Sequence, residues 1–259
     1  MKIVFHDKFY ETDYANDGAA EPGRMESIME AIGREKTFEI VRPESAGEDE
    51  LLLAHSLQYI NAVRPDSKRY AMAVLAAGAA SMAAEIGFSG EPSFAVVRPP
   101  GHHASPDSAW GYCTFCNMGI ALLNLKAQGK IKSAFILDFD AHTGDGTKAV
   151  LSDWKECRIL NPYADTSARY IKEIQNCIQE ISSVDIVGVC AGFDTYEKDI
   201  GRKLSTHDYY TIGVLMKEFA QKVAHGRRFA ILEGGYFQPD LGKNVITFCK
   251  GFNFGWLKR

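Results

Sequence analysis

Two adjacent histidines, His102 and His103, follow the apolar run Phe94-Ala95-Val96-Val97 and the turn Pro99-Pro100-Gly101. Asp138, Asp140, His142 and Asp145 follow Ala134-Phe135-Ile136-Leu137. Asp194 follows Ile186-Val187-Gly188-Val189-Cys190-Ala191-Gly192-Phe193, and Glu233-Gly234-Gly235-Tyr236 follows Phe229-Ala230-Ile231-Leu232. Asp140 and His142 are two apart, so on an extended backbone they point the same way, and Asp194 can close the set. Three O/N ligands with an open position form the pattern of a catalytic Zn2+ site, with donors hard enough for Fe2+ or Co2+ to substitute. Metal-assisted amide hydrolysis also needs a base to take a proton from water and an acid to protonate the leaving amine. His102 and His103 are the candidates. Imidazoles in such roles are oriented by a carboxylate on the second ring nitrogen, and Asp138 and Asp145 are placed to be those partners. Tyr236 can donate its phenolic hydrogen to the oxyanion of a tetrahedral intermediate, with Gly234 and Gly235 allowing a close backbone approach.

Each of these sets ends an apolar run, and in open parallel α/β sheets ligands bind beyond the carboxyl ends of the strands. The four sets are therefore expected on one rim. Met1 to Asp7 reads as a first strand. Between the strands, Tyr70 to Ile86 reads as a buried Ala- and Met-rich helix. Ala168 to Ile181 reads as an amphipathic helix with Ile171, Ile174, Ile178 and Ile181 on one face. Asp208 to Val223 reads as a third, with Ser205 and Asp208 forming a cap. Alternating strands and helices predict an α/β fold around a parallel sheet, and unbroken apolar strands predict helices on both of its faces.

At 259 residues and 46% hydrophobic content the chain can bury one full core, so a single domain over 1–259 is expected. Net charge is −4 and no long basic run occurs, so direct nucleic-acid contact is not expected. No signal-peptide pattern opens the chain, and no unbroken apolar stretch approaches the roughly 20 residues of a membrane helix. A cytoplasmic location without a membrane partner is the expectation. Cys113, Cys116, Cys157, Cys177, Cys190 and Cys249 read as free thiols, several of them buried.

Taken together the motifs resemble the arginase-like deacetylase superfamily of histone deacetylases, acetylpolyamine amidohydrolases and acetoin-utilisation proteins. The likeness runs from about residue 90 to 252 through R-P-P-G-H-H-A, G-Y-C-T-F-C-N, D-x-D-x-H-x-G-D-G, A-G-F-D and E-G-G-Y. Weaker echoes are Pro22-Gly23-Arg24 and His55 to Ile60. The resemblance implies a single-domain, three-layer arginase/deacetylase-like fold and a zinc-dependent deacetylase releasing acetate from an acetyl-lysine side chain or an acetylated small amine. It implies Zn2+ on Asp140, His142 and Asp194, His102 paired with Asp138, and His103 with Asp145. His103 would be the general acid, His102 would tune or share the base role, and Tyr236 would polarise the acyl carbonyl. Tyr112, with Gly111 and Gly235, would line the substrate channel, and Asp138 would also serve a K+ site.

The chain departs from the family at Thr143 and at Cys116, which creates a Cys113-x-x-Cys116 spacing. The segments 59–98 and 145–194 are short for the family. They predict a more open site, with Tyr163 the nearest offer for a second wall aromatic. Thr195 to Asp199 and Asn244-Val245 resemble the acetylpolyamine enzymes, in which case Glu197 and Asp199 would receive distal ammonium groups; solvated loop charges are the other reading. The short chain leaves room for a neighbouring copy, as in a homo-oligomer, to complete the mouth. Alternatives of other classes are a non-catalytic module binding acylated ligands, which would be expected to have lost Tyr236 or a metal ligand, and a thiol redox protein using Cys113 and Cys116. Arginase-type chemistry needs two metals and more carboxylates than this pattern offers.

Overall fold

A computed structural model describes residues 1–255. Seven strands, β1 (Lys2–Val4), β2 (Glu39–Val41), β3 (Ser93–Ala95), β4 (Ala134–Asp138), β5 (Cys157–Leu160), β6 (Ile186–Ala191) and β7 (Arg228–Leu232), form one sheet in the order β2-β1-β3-β7-β6-β4-β5. Every neighbouring pair is parallel. The helices are α1 (Arg24–Gly33), α2 (Glu48–Leu52), α3 (Leu57–Val63), α4 (Ser67–Phe88), α5 (Asn117–Ala127), α6 (Asp145–Val150), α7 (Ser167–Gln179), α8 (Thr206–Val223) and α9 (Gln238–Phe254). The expected run Phe94 to Val97 leaves the ladder at Ala95. Val96 still donates to Val4 O (3.0 Å), but Pro99 and Pro100 have no N–H with which to continue it.

The inner strands β4, β6 and β7 are apolar and buried throughout, as a sheet covered on both faces requires. Side chains alternate between the two layers. Ser93 Oγ donates to Ala83 O of α4 (2.6 Å), while its neighbour Phe94 meets Phe248 of α9 at 6.1 Å. Helix α4 has a mean hydropathy of 1.6 over its most apolar window and is long enough to cross a bilayer. Its Ala76, Ala77, Ala79, Ala80, Ala83 and Ala84 are fully buried in the core, so their small side chains serve close helix packing.

Aromatic packing sets which way the acidic loops face. Phe139, between Asp138 and Asp140, and Phe193, beside Asp194, meet each other at 5.5 Å and reach Phe248 at 5.4 and 6.1 Å. With the phenyl rings turned into the core, their acidic neighbours are left on the opposite side, at the sheet rim.

Two local devices hold the loops around that rim. Ser205 and Asp208 form the expected capping box at the start of α8, where the loop after Asp194 ends. His55 ties down the loop between β3 and α5. Its Nδ1 lies 2.9 Å from Ser105 O and so carries the hydrogen, while Nε2 accepts the Cys116 N–H at 2.9 Å. Burial pushes the His55 pKa down to about 4.

Replacing Ser205 by Ala should lower stability by about 1 kcal/mol, read as a fall in thermal midpoint; an unchanged midpoint would contradict the cap. For His55, the unfolded chain takes up a proton near the ordinary 6.5 while the folded ring stays neutral down to about 4. Stability from this group is complete above that upper value and is lost as pH falls, by up to about 3 kcal/mol. Urea unfolding from about pH 7 to pH 4 should show this slope in the native protein and a shallower one in His55→Asn; equal slopes would refute it.

Candidate active site

Strands β3, β7, β6 and β4 are consecutive in the sheet, so at about 4.8 Å per step their carboxyl ends fall within about 15 Å of one another. Asp140, His142 and Asp194 come together there, each offering a ligand atom within 4.8 Å of the others. His142 Nδ1 stands 3.2 Å from Asp140 Oδ1 and 3.3 Å from Asp194 Oδ2. Backbone N–H groups fix both carboxylates. Gly234 donates to Asp140 Oδ2 (2.9 Å), and Ala141 donates to Asp194 Oδ1 (2.9 Å). Gly234 is required there: a β-carbon would lie 2.6 Å from Asp140 Oδ2 and 2.7 Å from Asp194 Cγ. Asp194 Oδ2 is buried with no backbone N–H aimed at it, and the His142 ring is its near neighbour. Burial and the Asp140 charge raise the Asp194 pKa, while hydrogen bonds to Asp140 and Asp194 push His142 up to about 10. A compact O/N/O donor set, with one carboxylate oxygen facing only the imidazole, fits a divalent cation.

His102, Cys113 and Glu233 also lie within 4.8 Å of one another. This group reads as support. Glu233 Oε2 accepts from Gly101 N (2.7 Å) and His102 N (3.1 Å), and burial raises the pKa of the Cys113 thiol, keeping it protonated.

The two histidines pair as expected, His102 Nδ1 with Asp138 Oδ2 at 3.1 Å and His103 Nδ1 with Asp145 Oδ1 at 2.6 Å. His102 is enclosed, its Nε2 also 3.6 Å from Asp140 Oδ1. Burial opposes its charge, but Asp140 and Asp138 outweigh burial and hold its pKa well above the usual value. Burial and the neighbouring His102 charge lower that of His103. The Nε2 of His103 has no hydrogen-bond partner among the described residues, and its ring lines a cavity of about 260 Å³.

Pro100, Trp110, Gly111, Tyr112, Ile200, Gly234 and Tyr236 complete most of the cavity wall, along with Asp140 and His142. Tyr112 and Tyr236 meet edge to face at 5.8 Å. Asp199 holds the Tyr236 turn: its Oδ2 accepts from Tyr236 N (2.6 Å) and Phe237 N (2.7 Å), and its Oδ1 from Ile200 N (2.8 Å). Beneath the turn, the buried Arg24 donates to Gly235 O (2.8 Å) and Glu233 O (2.6 Å) and lies 5.5 Å from the Tyr236 ring centre.

Four readings need correction. Gly235 does not line the cavity; Phe193 and Leu241 crowd its α-carbon from behind, and Gly234 takes the wall position. Tyr163 is 82% exposed under Lys203 and away from the cavity, because the 145–194 segment does not reach the mouth. The aromatic missed in the sequence is Trp110, next to Gly111-Tyr112-Cys113. Asp199 is not a free loop charge, since three backbone N–H groups donate to it. The thiol redox reading also fails: Cys113 and Cys116 are buried and unlinked, and burial pushes the Cys116 pKa up to about 12.

A larger groove of about 440 Å³ between α1 and α9 is lined by charges that pair with one another, Arg34 with Glu30 and Lys250 with Glu35. It assembles no comparable set of groups.

The family model of the histone deacetylase domain matches residues 19–170, more than half of the chain. Over 97% of its length the chain is 24% identical to a probable deacetylase of Methanothermobacter thermautotrophicus, covering 90% of that protein. It is 23% identical to the histone deacetylase-like amidohydrolase of Pseudomonas aeruginosa, over 88% of this chain and 75% of that one. The crystal structure of the HDA15 HD domain superposes with a TM-score of 0.86 at 21% identity, covering 99% of this chain and 90% of that one, and so shares the fold. With its parallel sheet, its rim and this match in agreement, the chain belongs to the histone deacetylase domain family.

Proposed function

We propose that this chain is a zinc-dependent deacetylase that hydrolyses the acetyl amide of a linear alkyl amine, with an acetyl-lysine side chain as the favoured form. The observation that carries this is the convergence on one cavity of the Asp140–His142–Asp194 set, two His–Asp pairs and the Tyr236 phenol. Zn2+ held by Asp140, His142 and Asp194 would supply Lewis acidity toward the acyl carbonyl and the attacking water. A K+ beside Asp138 belongs to the same reading.

The chain's own groups perform the rest. The Tyr236 hydroxyl donates to the carbonyl oxygen as it gains negative charge. His103, with Nδ1 held by Asp145 and Nε2 free toward the cavity, takes a proton from the attacking water. It returns that proton to the amine nitrogen as the C–N bond breaks, leaving the amine and acetic acid, whose remaining proton passes to the amine to give acetate and the ammonium product. His102 has both ring nitrogens facing carboxylates, so its part is to hold positive charge beside the reacting atoms.

The entrance supports a neutral alkyl chain over a polyamine. Its exposed walls are Trp110, Tyr112 and Ile200, and the nearby Asp199 carboxylate is engaged by three backbone N–H groups.

Acetate release by the zinc-loaded protein should occur on an acetyl-lysine peptide and be weaker on acetylputrescine and acetylspermidine. Tyr236→Phe should cut turnover by about 100- to 1,000-fold with zinc content unchanged; full activity would sink the assignment. Asp199→Ala should act in the same direction through the displaced Tyr236 turn, lowering kcat by about 10- to 100-fold. The same variant should lose about 1–3 kcal/mol of stability, measured by urea unfolding, because three N–H groups lose their acceptor.

A further inference from the structure

Trp110 sits on the outer edge of the acid–base pair. Its indole stacks on the His103 ring, with centres 3.7 Å apart and planes 29° from parallel. Its Nε1 donates to Asp145 Oδ2 at 2.9 Å, while the other oxygen of the same carboxylate faces His103 Nδ1 at 2.6 Å. One side chain thus touches both members of the pair. Asp145 is more than half exposed, so without this bond its carboxylate would be free to rotate into water.

The backbone around Trp110 is shaped to the same end. Gly111 and Tyr112 both have positive φ, 59° and 69°, and for a bulky residue such as Tyr112 that conformation is held against a preference for other regions. A β-carbon on Gly111 would lie 2.5 Å from His103 Cδ2, so the chain turns tightly around the imidazole edge. His55 anchors this loop at Ser105 on one side and Cys116 on the other. Trp110 nevertheless stays 54% exposed, because its other face forms the cavity entrance opposite no packed neighbour.

We propose that Trp110 is a positioning residue for the His103–Asp145 pair and, with its free face, the wall along which the alkyl chain of the substrate enters. This rests on the acid–base role given to His103 above. The indole N–H fixes the carboxylate so that Oδ1 keeps hold of Nδ1, and the stacked ring keeps Nε2 directed into the cavity. The indole face offers the methylene groups of a lysine-type chain an apolar surface.

The test compares Trp110→Phe, which keeps a ring and loses the N–H, with Trp110→Ala, each alone and in an Asp145→Ala background. With the zinc-loaded protein and an acetyl-lysine peptide, Trp110→Phe should lower kcat about three- to tenfold with KM, zinc content and thermal midpoint little changed. Trp110→Ala should lower kcat further and raise KM, since the wall is lost as well. The kcat loss from Trp110→Phe should vanish when Asp145 is already Ala, because the two residues act as one unit. A wild-type kcat in Trp110→Phe, or an equal loss in both backgrounds, overturns the proposal. A readout without turnover is the indole N–H signal of 15N-Trp protein, assigned by its absence in Trp110→Phe. It should move upfield in Asp145→Ala; an unmoved signal overturns the positioning directly. Failure of the proposed function is a separate result, read from unchanged acetate release in Tyr236→Phe.

Discussion

Buried negative charge is the constraint around which this rim is built. Asp138, Asp140, Asp194 and Glu233 are each 5% exposed or less. Two like charges about 4 Å apart repel by roughly 4 kcal/mol even in a moderately polar interior. The fold answers with backbone N–H groups from Gly101, His102, Ala141, His142 and Gly234, all aimed at carboxylate oxygens, and with the rings of His102 and His142. These leave Asp194 Oδ2 with only the His142 ring beside it and Glu233 Oε1 with no hydrogen-bond partner among the described residues. A core whose carboxylates outnumber its imidazoles gives up stability in return for cation affinity, and ties folding of the rim to whatever supplies the missing charge.

Delivering so many carboxylates to one place depends on residues that never touch them. Phe139 and Phe193 belong to the aromatic cluster around Phe248, and each is flanked by an acid that must then face the other way. Register does the rest. Asp138 is level with Cys190 on β6, and Ala191 with Leu232 on β7, so the loops leave the sheet at a common height. This part was legible in the sequence. An unbroken apolar run followed by an acid or a histidine pair is a local signal, and strand-end convergence is a general property of parallel sheets. The metal set, both His–Asp pairs, the α8 capping box and the two-sided helical cover could all be read from spacing and type, or from motif resemblance.

The entrance was legible only in part. Tyr112 was placed by resemblance, but Trp110 and Ile200 lie on loops whose course is decided by tertiary contacts. Nothing in Ala109-Trp110-Gly111 announces a stack on His103, seven residues earlier. Asp199 misled for a related reason. An acid on a polar loop looks like a surface charge, and only the folded chain shows it capping the Tyr236 turn, 37 residues later. Gly235 and Gly234 could not be told apart by type; the difference lies in which one abuts the carboxylates and which one abuts Phe193 and Leu241.

Interior and entrance are nonetheless one mechanical system. Asp199 sits on the loop that presents Ile200 to the cavity, and its carboxylate grips the backbone of Tyr236. Trp110 lines the cavity and is bonded to the carboxylate that orients His103. Two of the exposed walls, Trp110 and Ile200, are therefore one hydrogen bond away from the His103–Asp145 pair or the Tyr236 backbone. In a site where walls and chemistry stood on separate elements, a change of wall would alter binding alone. Here pressure on either wall is passed to His103 or Tyr236 through a short, charge-assisted bond, so under the proposed roles of those two residues substrates that fill the entrance differently should differ in turnover as well as in affinity.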